Sequence, residues 1–152
     1  MTLRQTQSLH IERLFDCTPE DLWAAWTTPE EFASWICPFP GLDAVVHELD
    51  PRPGGRLAFT LVCPDGVRFY EDGVFEVVNR PHELVIYQPH APHENRNDFF
   101  AGYPLTIRVQ FKAEGDQTRM VFEHSGYPLD TQIDGARNGF RAAFDKLATA
   151  LA

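Results

Sequence analysis

The chemistry this sequence offers rests on six histidines, three cysteines and a few charged side chains set among apolar neighbours. His90-Ala91-Pro92-His93-Glu94 places two imidazoles three positions apart beside a carboxylate, donor types that suit zinc. A closed zinc site takes four ligands, however, Pro92 spoils helical spacing, and no second pair follows. The segment therefore reads as a solvated polar loop, with no metal and no cofactor. Arg13, His47 and His124 fall in phase with apolar residues on alternating stretches. Polar groups facing an interior need partners. They either satisfy one another and the backbone, or orient the carboxylate, phosphate or hydroxyl of a ligand in an apolar pocket. Gly54-Gly55 lacks the wider glycine pattern and the lysine of a phosphate loop. No serine sits in a G-x-S-x-G context. Cys17, Cys37 and Cys63 form no CxxC pair and read as free thiols of a reducing compartment. None of this amounts to a catalytic constellation.

Aromatic side chains carry the stronger signal. Twelve phenylalanines and three tryptophans in 152 residues imply a bulky core or an aromatic-lined pocket. Phe99-Phe100 lies in an otherwise polar segment and must cover something, either as a lid over a cavity mouth or as a loop anchor on the sheet edge. Trp35 and Phe39 border the proline-rich exit of a short helix and fit a pocket wall. Trp23 and Trp26 fit core packing between helix and sheet.

The elements that position these residues follow from periodicity. Leu9, Ile11, Arg13 and Phe15 alternate with polar residues as a first strand. Thr18-Pro19-Glu20-Asp21 and Thr28-Pro29-Glu30-Glu31 are successive helix starts, each with a hydroxyl cap, a proline and first-turn acids. They predict two short helices, ended by Pro38 and Pro40. From Asp43 the period is two. Val45, His47 and Leu49 share a face, as do Leu57, Phe59 and Leu61. Phe69 to Val78 is the next strand, with Gly73 a bend. Glu83 to Gln88 follows, its inner face ambiguous because Leu84 to Tyr87 are all apolar. Gln88 to Tyr103 reads as a loop. Leu105, Ile107, Val109 and Phe111 alternate cleanly, and Met120, Phe122 and His124 share the phase of the last strand. Asp130 to Ala152 closes the chain as a helix capped by Asp130 and Thr131, with Ile133, Ala136, Arg137, Phe140, Ala143, Phe144, Leu147 and Leu151 on one face. Gly135 and Gly139 interrupt it, as if something must come close. Short turns make neighbouring strands antiparallel.

Composition bounds the rest. The length suits one domain over residues 1–152. A formal net charge of −9 opposes binding to nucleic acid or anionic membranes. Met1 to His10 is polar and reads as no signal peptide, and no apolar run reaches the length of a membrane span. These features point to the cytoplasm.

Several stretches together resemble the SRPBCC (START-like) superfamily, in the branch named after the activator of the heat-shock protein 90 ATPase. They are Glu12-Arg13-Leu14-Phe15-Asp16, Trp23-Ala24-Ala25-Trp26-Thr27, Pro29-Glu30, Trp35, and Leu49-Asp50-Pro51-Arg52-Pro53-Gly54-Gly55-Arg56. Further on come Gly73, His124-Ser125-Gly126-Tyr127-Pro128 and Asn138-Gly139-Phe140, with Phe140 standing where the family usually has tryptophan. The resemblance implies an α+β helix-grip fold, a curved antiparallel sheet of about six or seven strands wrapped around a long C-terminal helix. It also implies a cavity between sheet and helix, where members of the wider superfamily bind lipids, sterols, polyketides or other apolar molecules.

On this reading the chain binds a small hydrophobic molecule. Trp35, Phe39, His47, Phe59, Phe75, Phe99, Phe100, Ile107, Phe122, His124, Phe140 and Phe144 form the expected site. A polyketide-cyclase or hydratase-like enzyme using His47, His124 or Arg13 is one alternative. A chaperone-associated interaction module is the other. A homodimer is left open.

Overall fold

The computed structural model describes residues 5–100 and 102–152. The first four residues of the polar start, and residue 101 of the loop after Gln88, lie outside them. Seven strands form one antiparallel sheet: β1 (Thr6–Phe15), β2 (Val45–Leu49), β3 (Arg56–Val62), β4 (Arg68–Asn79), β5 (Glu83–Gln88), β6 (Leu105–Glu114) and β7 (Gln117–Pro128). Their order is β1-β7-β6-β5-β4-β3-β2, so every neighbouring pair except β1 and β7 is consecutive in sequence. The α-helices are α1 (Pro19–Thr27), α2 (Pro29–Ile36) and α3 (Asp134–Ala150), and a single 3-10 turn (Asp98–Phe100) lies within the segment that the sequence presents as a loop.

The curvature of the sheet has local causes. Register shifts fall at Gln7/Ser8, Val46/Glu48 and Phe75/Val77. Each inserts an extra residue, which bends its strand and increases twist. Gly73 marks a close approach between β4 and β5, since a Cβ there would meet Ile86 Cγ2 at 2.7 Å and the Tyr87 carbonyl oxygen at 3.0 Å. Gly73 thus lets β4 fold tightly over β5.

The α1 start follows the sequence signal. Thr18 and Asp21 form a capping box: the Thr18 hydroxyl accepts from the Asp21 amide at 3.2 Å, and the Asp21 carboxylate accepts from the Thr18 amide at 3.0 Å. Pro19 occupies the first turn. The start of α3 departs from expectation. Asp130 and Thr131 do not cap it; they lie in a turn in which the Thr131 amide donates to the Pro128 carbonyl, and the helix begins four residues after Asp130. The Gln7 side chain holds this turn by donating to the carbonyls of Pro128 and Thr131 at 3.0 and 2.7 Å. A partner 121 residues away was beyond any local capping rule.

α3 buries Ala143, Phe144 and Leu147 against the concave face of the sheet. Lys146 fastens it to the segment after α2, donating to the carbonyls of Cys37, Phe39 and Leu42 at 2.9, 3.2 and 2.7 Å. The inner face of β5 is now defined: Leu84, Ile86 and Gln88 are buried, whereas Val85 and Tyr87 turn away.

Candidate functional site

Between α2, α3 and the inner face of β3 to β7 lies a cavity of about 320 Å³. That is within the roughly 300–1,000 Å³ typical of small-molecule pockets. Its wall is mostly hydrocarbon and aromatic ring. Trp26, Phe32 and Ile36 come from the short helices, Leu57, Phe59 and Leu61 from β3, Ile107 from β6, and Ala136 and Phe140 from α3. Phe99 and Phe100 close one side. They meet edge to face with centroids 4.9 Å apart, Phe100 stacking on His90 and Phe99 leaning on Tyr127.

Gly135 and Gly139 border the cavity, and a Cβ built on either meets nothing within 4 Å. The expectation that something comes close to these glycines is thus overturned. What they leave is space. In the helix interior Gly139 costs about 1 kcal/mol relative to alanine, so the space beside it is maintained against helix propensity.

The polar end is small. Glu71, Gln88, Asn97 and His124 reach the wall from β4, β5, the loop and β7. Glu71 shares a phase with Phe69, Gly73 and Phe75 and is only 6% exposed. The His124 ring is held at both nitrogens: Nε2 lies 2.8 Å from Gln88 Oε1, and Nδ1 lies 2.8 Å from the Tyr127 hydroxyl. An amide oxygen only accepts, so Nε2 carries the proton and Tyr127 donates to Nδ1. Burial, reinforced by nearby His90, pushes the His124 pKa down to about 3. The ring is therefore neutral at physiological pH. Burial likewise raises the Tyr127 phenol above its ordinary value and keeps it protonated.

Behind Phe100, His90 occupies a left-handed backbone position with φ of 53°. Its Nδ1 lies 3.0 Å from the Tyr103 carbonyl oxygen, which fixes a proton there. Its Nε2 lies 3.4 Å from Glu71 Oε2 and has no hydrogen-bond partner among the described residues. His93 diverges from His90. It is exposed and stacks on Tyr70 at 4.0 Å, on the opposite face of the sheet from Glu71. The two imidazoles thus serve different surfaces.

Seven of the twelve residues expected at the site line the cavity: Phe39, Phe59, Phe99, Phe100, Ile107, His124 and Phe140. Five do not. Trp35 stands one layer behind Trp26, its indole nitrogen donating to the Ala25 carbonyl at 2.9 Å. Trp26 takes the wall position instead, because the two short helices fold back on each other and turn Trp35 toward Phe144. Phe122 and Phe144 pack together, centroids 5.1 Å apart, in the closed core beneath α3. Phe75 is buried without reaching the wall. Strand phase identifies an inward residue but not its depth along the strand. His47 lies on the exposed side of β2, 2.7 Å from the Thr60 hydroxyl, where the shift between Val46 and Glu48 resets its phase. Arg13 pairs with Asp145 of α3, outside the cavity. Glu71, Gln88 and Asn97 were missed, although alternation with Phe69 and Phe75 would have flagged Glu71.

A curved antiparallel sheet gripping a C-terminal helix, with two short helices at one end, defines the helix-grip class. Residues 16–152 match the family model described as activator of Hsp90 ATPase homolog 1-like protein, and the chain belongs to that family, an SRPBCC branch. Solved structures share the fold. A Chromobacterium violaceum protein is 16% identical with a TM-score of 0.81, covering 95% of this chain and 96% of its own. A Mycobacterium smegmatis protein is 19% identical with a TM-score of 0.81, over 95% and 90%. A solution structure from Arthrobacter aurescens is 21% identical with a TM-score of 0.83, over 95% and 85%. No curated protein matches the chain in sequence. Among the described residues no helix is long and apolar enough to cross a membrane.

Proposed function

We propose that the protein is a single cytoplasmic binding domain that holds a small hydrophobic molecule between sheet and α3. The observation that carries this reading is the mostly apolar cavity of about 320 Å³ between sheet and α3, bordered on the helix side by Gly135 and Gly139. Voids larger than a water molecule are few in protein interiors, and an apolar one takes up apolar molecules rather than water. Its aromatic and aliphatic wall would bury most of a compact apolar ligand, and its few polar groups at one end would orient it.

The enzyme alternative draws less support. His47, Arg13 and His124 were its candidate acid, base and anion stabiliser, and they occupy three separate environments. His124 has both nitrogens committed and is neutral, which suits an orienting role better than proton transfer. The chaperone-contact alternative draws on the family's description alone.

Native mass spectrometry of the protein purified under gentle conditions tests the proposal. The expected spectrum shows a bound small molecule, or stoichiometric uptake of an added neutral aromatic. A spectrum without adducts, and without uptake from a panel of such compounds, would rule the proposal out.

A further inference from the structure

Building on the binding function proposed above, we infer that the cavity selects an apolar molecule whose polar end is a hydroxyl, a phenol or alcohol, rather than a carboxylate, with Glu71 as the acceptor. Three observations lead there. First, Glu71 is a carboxyl group at the wall of an apolar cavity, and among the described residues neither of its oxygens accepts a hydrogen bond. Each oxygen keeps some accessible surface, so an occupant that donates would find an acceptor there with little desolvation to offset it.

Second, the neighbours of Glu71 leave one of its oxygens open. His90 Nδ1 is committed to the Tyr103 carbonyl, and Nε2 faces Glu71 Oε2 at 3.4 Å without forming a hydrogen bond. Glu71 Oε1 has no hydrogen-bond partner among the described residues and is the acceptor open to an occupant. A ligand hydroxyl can donate to it, whereas a ligand carboxylate would bring a second acceptor and a like charge into a low-dielectric site.

Third, the remaining polar groups match the other half of a hydroxyl. Gln88 Oε1 is occupied by His124, which leaves the Gln88 amide nitrogen as a donor. Asn97 Oδ1 accepts from the Phe99 amide at 2.9 Å, leaving its amide nitrogen in the same role. A hydroxyl donates once and accepts up to twice, so it can answer both kinds of group. An ether only accepts. His124, neutral and held at both nitrogens, supplies no cation for an anionic head.

The test is competition against the neutral fluorophore N-phenyl-1-naphthylamine, using 2-naphthol, 2-methoxynaphthalene and 2-naphthoate at pH 7.5. The expected order is 2-naphthol tightest, 2-methoxynaphthalene on the order of tenfold weaker, and 2-naphthoate weakest, in keeping with a hydrogen bond to a charged or buried acceptor. In Glu71→Gln the penalty on 2-naphthoate should shrink at least severalfold, with the circular dichroism spectrum unchanged. Equal affinities for the three compounds in the wild type, or a preference for 2-naphthoate, would overturn the hydroxyl assignment and leave the binding function standing. An unchanged penalty on 2-naphthoate relative to 2-naphthol in folded Glu71→Gln would overturn the role of Glu71. Failure of the wild type to take up the fluorophore at all would remove the binding function and this assignment together.

Discussion

His124 Nε2 and Gln88 Oε1 lie 2.8 Å apart, joining β7 to β5 across the intervening β6 at the polar end of the cavity. The bond fixes the tautomer of a ring that burial keeps uncharged, and it turns the Gln88 amide nitrogen into an available donor. It also carries a pH dependence. The folded-state pKa of His124 is about 3, below the ordinary value of 6.5. Between those values the unfolded chain binds a proton that the folded chain does not. Stability is therefore full above pH 6.5 and is lost as the pH falls toward 3, by up to about 1.4 kcal/mol per pH unit for one proton. Urea denaturation at pH 7 and pH 5 should show a smaller loss in His124→Phe than in the wild type. The same loss in both would place the titrating group elsewhere.

Phe144 belongs to the closed core and not to the cavity wall. It is fully buried and packs against Trp35 and Phe122. Phe144→Ala should cost about 3–5 kcal/mol, the range for emptying a packed aromatic site. Phe140→Ala, at the cavity margin, should cost less, because part of its surface meets no protein atoms. Comparable losses at the two positions would contradict this division.

Lys146 holds the segment between α2 and β2 through three carbonyls. Lys146→Met retains the aliphatic stem and removes the donors. It should destabilise by roughly 1–3 kcal/mol, the cost of removing charge-assisted bonds to three partly buried acceptors. Hydrogen exchange should accelerate around Leu42, whose amide bonds the Phe39 carbonyl, and hardly at all in β6. Uniform acceleration across the sheet would point to a global rather than a local role.

The loop bearing Phe99 and Phe100 should exchange faster than β6 in the free protein, and slow down on ligand binding. Its irregular backbone supports the first expectation and its position at the cavity supports the second. Equal protection of the loop and of Leu105–Glu114 in the free protein would refute it.

Much of the fold was legible in the sequence because it depends on local rules. Alternation located the strands, the Thr18 cap with Pro19 located α1, Pro29 with its first-turn acids located α2 although the Thr28 hydroxyl makes no cap, and the spacing of Ala143, Phe144 and Leu147 oriented α3. The site was legible only where phase alone decides, as for Phe59, Ile107 and His124. Trp26 and Trp35 exchanged roles because the packing angle between two short helices is a tertiary property. His47 left the inner face because a register shift is invisible in the pattern it disrupts. The glycines of α3 were conspicuous, but a missing side chain signals close contact and open space alike, and only the surroundings distinguish the two.

That open space is the most direct point of test. Gly139→Leu should fill the cavity from the helix side, where a Cβ meets nothing within 4 Å, and should improve helix propensity by up to about 1 kcal/mol. Titration with N-phenyl-1-naphthylamine should give saturable one-to-one binding in the wild type. In Gly139→Leu, affinity should fall at least about tenfold while the melting temperature is equal or higher. Identical titrations in the two proteins would contradict the claim that the molecule binds between the sheet and α3.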